Sequence, residues 1–419
     1  MLQTSSIPAT PPSPQPEIFT EDHHRTALQD TPLLFRLFAK VAANAEAGAL
    51  IITLPTGINI GFGNPSAEVN GTMVLRNYAV ARRTLLGGDI GFFESFAADE
   101  WDSPNLSETL FVIALNTAQL QRGFHASTLV SWLDRFRHKL RANSKSGSKR
   151  NIAAHYDLGN EFYEKWLDDT MTYSSAKFES QNDPLSKAQL NKYRSLADQI
   201  GLQSDDKVLE IGSGWGGFAE FAAKNLGASV TGLTLSKEQL DYSQQRIFKE
   251  GLAEKVKFRL QDYRDVDEAY DKIASIEMFE AVGREYWQTY FSKVRDSLKP
   301  GGVAGFQVIT IADGLYEQYS RATDFIQKYV FPGGMLPSPP LLKSQIETAG
   351  LTLQDATAFG QDYARTLAVW HDRFLGAWEE IRPLGFDDRF KKLWRFYLSY
   401  CEAGFKAGST DVYQVSAVR

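Results

Sequence analysis

Lys207-Val208-Leu209-Glu210-Ile211-Gly212-Ser213-Gly214-Trp215-Gly216-Gly217 decides the fold of this chain. Its first half is a short apolar run, the pattern of a buried strand, and helical spacing resumes from Gly217 to Asn225. Gly212 and Gly214 between them let the backbone turn sharply and approach a ligand closely, which any Cβ would obstruct. Taken alone, such a turn also suits a plain tight strand-to-helix connection. The neighbouring residues sharpen the reading. A dinucleotide fingerprint is GxGxxG with a later acid for the ribose. Here the loop is GxGxGG, the acid Glu210 precedes it, and the next strand, Ser229 to Leu233, runs into Thr234-Leu235-Ser236 without an acid.

Working outward, helix and strand alternate. Lys187 to Ile200 reads as a helix, Lys237 to Glu250 as another, and Val256 to Leu260, Lys272 to Ile276 and Val303 to Ile309 as further strands. This alternation implies βαβ units and an α/β fold with a mainly parallel sheet covered on both faces. Upstream, Pro32 to Gly48 has helical spacing. Ala49 to Leu54 and Ile58 to Phe62 read as a hairpin around Pro55-Thr56-Gly57, Thr72 to Val74 as a strand, and Val80 to Leu86 and Leu106 to Leu120 as helices. The expected organisation is a disordered tail over 1–29, rich in Ser, Thr and Pro at its start, and a small α+β domain over 30–125. A basic linker over 126–150 and one large α/β domain over 151–419 follow.

With 45 Lys and Arg against 51 Asp and Glu, the 419-residue chain carries a formal charge of −6. That balance counts against a nucleic-acid binder. The single Cys401 makes neither an internal disulfide nor a multi-cysteine metal site, and the six histidines form no HExxH, so no metal is expected. No apolar run is long enough to span a bilayer, and the start lacks the basic and apolar regions of a signal peptide. The expectation is a cytoplasmic protein. Arg135, Arg137, Lys139, Arg141, Lys145, Lys149 and Arg150 form a dense basic run without an acid. It reads either as a solvated hinge or as a peripheral contact with an anionic membrane at its inner face, where each such charge is worth about 1 kcal/mol.

Glu210-Ile-Gly212-Ser-Gly214 after its strand resembles motif I of class I S-adenosylmethionine (SAM) methyltransferases. Further stretches narrow the resemblance. They are Asn151 to Tyr163 with Met171-Thr172-Tyr173-Ser174-Ser175-Ala176, then Gly232 to Gln239, Ser275-Ile276-Glu277-Met278-Phe279-Glu280-Ala281-Val282-Gly283, and Tyr329 to Ser338. Together they resemble the cyclopropane fatty acyl phospholipid synthase family from about residue 150 to the C-terminus. Arg82 to Ser103 is similar to the N-terminal domain of its longer members.

The resemblance implies a class I SAM methyltransferase sheet, with SAM as cofactor held by Tyr173, Ser174, Gly212, Gly214, Thr234, Leu235, Gln239, Asp262, Tyr263 and Ile276. Thr234 and Gln239 suit the ribose hydroxyls in place of the missing acid, and Asp262 and Tyr263 suit the adenine. It also implies methyl transfer to the cis double bond of phospholipid acyl chains. The alkene attacks the sulfonium methyl, and the resulting cation must lose a proton in a dry channel. Aromatic candidates for that channel include Phe325, Tyr363, Trp370 and Phe374.

In ring-forming members, bicarbonate held by a Cys backbone, a Glu, a His and a Tyr removes the proton. By position these correspond here to Ser175, Glu280, Gln307 and Tyr363, with Ala281 after Glu280 where His is usual. Gln307 cannot carry charge as His⁺ can, which counts against bicarbonate. The implied catalytic set is Glu280, Tyr363, Gln307 and Ser175. The Glu-Ala pair with a strand Gln resembles the branch that makes methylene- or methyl-branched, tuberculostearic-type chains or furan fatty acid precursors. Cyclopropane, methylene and methyl products all stay open at this level, as do a homodimer and a reductase partner. A small-molecule methyltransferase and a non-catalytic lipid binder with a vestigial SAM site are the competing readings.

Overall fold

The computed structural model describes residues 14–124 and 158–419. The basic run and the Asn151 to Asp157 part of the family motif lie outside the described residues. The chain divides into two compact units.

The first unit opens where a disordered tail was expected. Pro16–Phe19 forms a 3₁₀ turn and Glu21–Leu28 a helix, α1. Thr20 Oγ1 accepts from His23 N–H as its cap, and Glu21 and Asp22 sit favourably in its first turn. His23 Nε2 lies 2.8 Å from the carbonyl of Asn59, and His24 Nε2 2.9 Å from that of Gly61. These carbonyls belong to β2, so the segment is ordered by covering a sheet edge that would otherwise be left unpaired. Residues α2 (Leu33–Ala42), β1 (Ala49–Thr53), β2 (Asn59–Gly63), β3 (Asn70–Leu75), α3 (Ala79–Ala97), β4 (Trp101–Asp102), α4 (Leu106–Leu115) and α5 (Thr117–Phe124) follow. The sheet order is β2-β1-β3-β4, with β1–β2 the expected hairpin and β1–β3 parallel.

In the second unit the elements are α6 (Asn160–Glu164), α7 (Leu185–Gln199), β5 (Lys207–Ile211), α8 (Gly217–Leu226), β6 (Ser229–Thr234), α9 (Lys237–Lys249), β7 (Val256–Leu260), β8 (Tyr270–Ile276), α10 (Trp287–Ser297), β9 (Leu298–Ile311) and α11 (Asp313–Tyr319). Then come α12 (Phe325–Tyr329), α13 (Pro339–Thr348), β10 (Thr352–Ala358), α14 (Gly360–Gly376), α15 (Trp378–Ile381), α16 (Asp388–Lys406) and β11 (Thr410–Val418). The large domain is not continuous in sequence as expected. Residues 322–328 and 386–407, which hold most of α12 and all of α16, belong to the first unit. There Phe325 packs on Phe93 and Phe396, and Arg395 pairs with Asp102 at 2.9 Å. Phe325 therefore packs in the first unit's core.

The seven-stranded sheet runs β7-β6-β5-β8-β9-β11-β10. The pairs from β7 through to β9 are parallel, and β11 is antiparallel to both β9 and β10. Successive residues of the central strands face opposite cores, as the two-residue period requires. Val208 and Val230 join Phe218 and Leu196 on one side, while Leu209 and Ile273 join Phe291 and Phe306 on the other. Burial on both faces explains why these strands read as continuous apolar runs. Strand order reverses between β5 and β8. Loops leaving the carboxyl ends of these two strands diverge, and this is where α/β sheets open a crevice for ligands.

Candidate functional site

A cavity opens at that crevice, lined from the ends of four neighbouring strands. Each strand end contributes to its wall: Gly212 to Trp215 after β5, Leu233 to Leu235 at the end of β6, Gln261 and Tyr263 after β7, and Ile276 to Met278 at the end of β8. Gly212 has φ +82°, and a Cβ there would stand 2.7 Å from Met278 Cγ, so the turn admits only glycine. Thr234 Oγ1 donates to Gln239 Oε1 at 2.9 Å, fixing a hydroxyl–amide pair on the β6 side.

Nine of the ten residues expected to hold the cofactor line this cavity: Tyr173, Ser174, Gly212, Gly214, Thr234, Leu235, Gln239, Tyr263 and Ile276. Asp262 does not. Arg264, two residues on, donates Nε to Asp262 Oδ1 at 2.8 Å and Nη2 to Oδ2 at 2.7 Å. The neighbouring Gln261 stands in the lining instead. Glu210 also lines the cavity, and burial pushes its carboxyl up to about 8. Among the expected channel aromatics, Trp370 packs 5.3 Å from Tyr173 and perpendicular to Trp166, extending an apolar wall behind the site.

The four expected catalytic residues separate into three and one. Ser175 N–H donates to Glu277 Oε1 at 2.9 Å, Gln307 Nε2 donates to the same oxygen at 2.7 Å, and Tyr363 OH donates to Oε2 at 2.6 Å. Ser175, Gln307 and Tyr363 thus converge on one carboxylate, and it is Glu277, not Glu280. Glu277 lines the cavity, directly after β8. Its φ of +49° lies in the left-handed region that residues other than glycine rarely occupy. The N–H of Glu277 on the Gln307 carbonyl, at 2.8 Å, holds this strained turn. Strain of this kind collects at functional positions. Loss of water raises the Glu277 pKa, opposed first by the Tyr363 hydrogen bond.

Glu280 is absent from the cavity lining. Its Oε1 accepts the Ile309 N–H, and its Oε2 is buried without a hydrogen-bond partner. Burial, then repulsion from Glu277, pushes its carboxyl up to about 8, so it is protonated at neutral pH. Glu277 stood in plain sight in the Ser275 to Gly283 stretch. Its signal was positional: a carboxylate immediately beyond a buried strand, on the carboxyl side of the sheet where ligands bind.

A family model for mycolic acid cyclopropane synthetase matches residues 143–415. The chain is 39% identical over 376 residues to the tuberculostearic acid methyltransferase UfaA1 of Mycobacterium tuberculosis, covering 87% of this chain and 86% of that protein. It is 35% identical over 351 residues to the cyclopropane-fatty-acyl-phospholipid synthase of Escherichia coli, covering 81% and 86%. The crystal structure of mycolic acid cyclopropane synthase CmaA1 complexed with SAH and CTAB superposes with a TM-score of 0.62 at 30% identity. That match covers 65% of this chain and 98% of CmaA1.

Proposed function

This chain belongs to the mycolic acid cyclopropane synthetase family of SAM-dependent methyltransferases, and on that premise we propose that it methylates the double bond of unsaturated phospholipid acyl chains, with Glu277 as the base, to give a methylene-branched chain. The observation that carries this reading is the ring of donors from Ser175, Gln307 and Tyr363 closed on the Glu277 carboxylate.

The cavity residues suit SAM. The glycine turn leaves space for close backbone approach, the Thr234–Gln239 pair suits ribose hydroxyls, and Tyr263 offers a ring to a base. When bound, SAM supplies an electrophilic methyl group. The chain's own residues then manage the cation left on the lipid. Ser175, Gln307 and Tyr363 hold Glu277 in place and favour its charged form against the burial that raises its pKa, so that little reorganisation is needed when it takes the proton. A 1,2-hydride shift moves the charge to the methyl-bearing carbon. Loss of a proton from that methyl to Glu277 forms a carbon–carbon double bond there and leaves a methylene branch on the chain. Saturating the methylene takes a hydride and a proton, so a methyl-branched end product calls for a reductase partner.

Bicarbonate does not fit this arrangement. The backbone N–H, amide and phenol expected to hold it are already directed at Glu277, and a second anion beside that carboxylate would be repelled. Glu280, inside the protein and neutral, serves to brace β9 in this account.

The acyl chain arrives from a membrane, and the first unit supports peripheral attachment to an anionic phospholipid surface. On α2, Leu33, Leu34 and Leu37 are 65%, 44% and 45% exposed, beside the exposed cations Arg36 and Lys40. Among the described residues no helix is long and apolar enough to cross a membrane. The test is mass spectrometry of fatty acids after incubation with SAM and monounsaturated phospholipid vesicles. The expected product gains the mass of one CH₂ and fragments at a methylene branch. Measurable SAM binding with no gain on lipid contradicts the substrate class and returns the small-molecule reading.

A further inference from the structure

Lys192, in the middle of α7, is fully buried. An ammonium withdrawn from water is costly unless something nearby gains from its charge. Its Nζ donates to Ser174 Oγ at 2.6 Å and lies 4.5 Å from the centroid of the Tyr193 ring. Ser174 is one residue from the backbone donor Ser175, and its carbonyl accepts from Gln189 Nε2 at 3.0 Å, so α7 grips this segment at two points. A second chain of bonds leaves the same residue. The Lys192 carbonyl accepts from Gln414 Nε2 at 3.0 Å, and the same nitrogen donates to Gln307 Oε1 at 3.1 Å. With its oxygen occupied in this way, the Gln307 amide must turn its NH₂ toward Glu277. Both routes end on the same carboxylate.

We propose that Lys192 is the positioning residue for Glu277: its buried ammonium keeps that carboxylate ionised, and its two hydrogen-bonded routes aim Ser175 and Gln307 at it. This rests on the reading of Glu277 as the base. Burial pulls the Lys192 ammonium down to about 7, opposed first by Glu277, then by Asp168 and Glu210. Glu277 itself faces the Tyr363 hydroxyl from α14, Gln307 from β9, the Ser175 N–H, the Lys192 charge and, across the 3₁₀ turn, Glu280. Of these neighbours Lys192 is the one cation acting on it.

The experiment compares the pH profile of methyl transfer to vesicle lipid for the native protein, Lys192→Gln, Lys192→Arg and Ser174→Ala, with Glu277→Gln alongside. Turnover rises with pH as Glu277 ionises. Lys192→Gln keeps a donor for Ser174 but loses the charge, so its rising limb moves up by about one unit, and turnover at a fixed pH on that limb falls about tenfold. Lys192→Arg keeps the charge and leaves the limb in place, whereas Ser174→Ala keeps the charge but cuts one aiming route, so its turnover falls with little movement of the limb. An unmoved limb in Lys192→Gln overturns the proposal, and so does a limb displaced equally in Lys192→Arg. Calorimetric SAM binding verifies that each variant is folded. A fully active Glu277→Gln defeats the base assignment itself, whereas an inactive Glu277→Gln with an unmoved Lys192→Gln limb defeats only the role of Lys192.

Discussion

Glu277 and Glu280 lie three residues apart, yet the protein solvates them in opposite ways. Glu277 ends β8 at the cavity wall with donors on both oxygens and a buried lysine nearby. Glu280, in the 3₁₀ turn Phe279–Ala281, meets only backbone N–H groups, those of Ile309 and its own residue, and leaves its second oxygen shut in without a hydrogen-bond partner. Burial raises both pKa values, but around Glu277 four groups oppose the rise, whereas at Glu280 the charge of Glu277 adds to it. The difference teaches that a carboxylate's role follows from the number of donors around it and not from its place in a motif.

The largest effect should come from removing each carboxylate in turn. Glu277→Gln is expected to lower methyl transfer by about 10²–10⁴-fold, while Glu280→Gln loses less than about tenfold, because it removes no group that faces the cavity. Turnover on vesicle lipid checks both, and a reversed order would exchange the two roles. Next in size is Tyr363→Phe. It deletes the donor on Glu277 Oε2, raises the carboxyl's pKa, and is expected to cost about tenfold at neutral pH. Its rising limb should move to higher pH, recovering rate in alkaline buffer.

The smallest effect is on stability. The folded pKa of Glu280, about 8, lies above its ordinary 4.5. Between those values the folded state holds a proton that the unfolded state has released. Stability from this group is therefore complete below about pH 4.5 and is lost as pH rises through about 8. Glu280→Gln is isosteric with the protonated form and escapes that loss, so thermal unfolding should show a gain of a few degrees near pH 8.5 and little change near pH 5. Equal shifts at both pH values would mean that Glu280 is not held neutral.

Most of the sheet was legible in the sequence because short strands such as Val208 to Ile211 and Ser229 to Leu233 alternate with helical stretches and carry apolar residues toward both faces. The glycine turn was legible for a similar reason: φ and close packing at Gly212 admit one residue type. What escaped depends on contacts distant in sequence. Nothing local marks 322–328 or 386–407 as parts of the first unit, since Phe325 is placed by Phe93 and Phe396. The helix Glu21–Leu28 depends on carbonyls of β2 some 36 residues away. The pairing of Asp262 with Arg264 was not legible, because it is set by how the turn after β7 folds. At the site, family position favoured Glu280, whereas the convergence of Ser175, Gln307 and Tyr363 on Glu277 joins four separate stretches of chain and appears only once they fold together.

The most direct test of the central claim uses Glu277→Gly. Glycine accepts the φ of +49° without strain, while the carboxylate disappears and the donors of Ser175, Gln307 and Tyr363 are left facing an open, anion-sized space. Assayed in carbonate-free buffer, this variant should be inactive, and added bicarbonate should restore methyl transfer by occupying the vacated position, while the native protein ignores bicarbonate throughout. Undiminished turnover of Glu277→Gly without bicarbonate, or a native protein that needs the ion, would contradict the account.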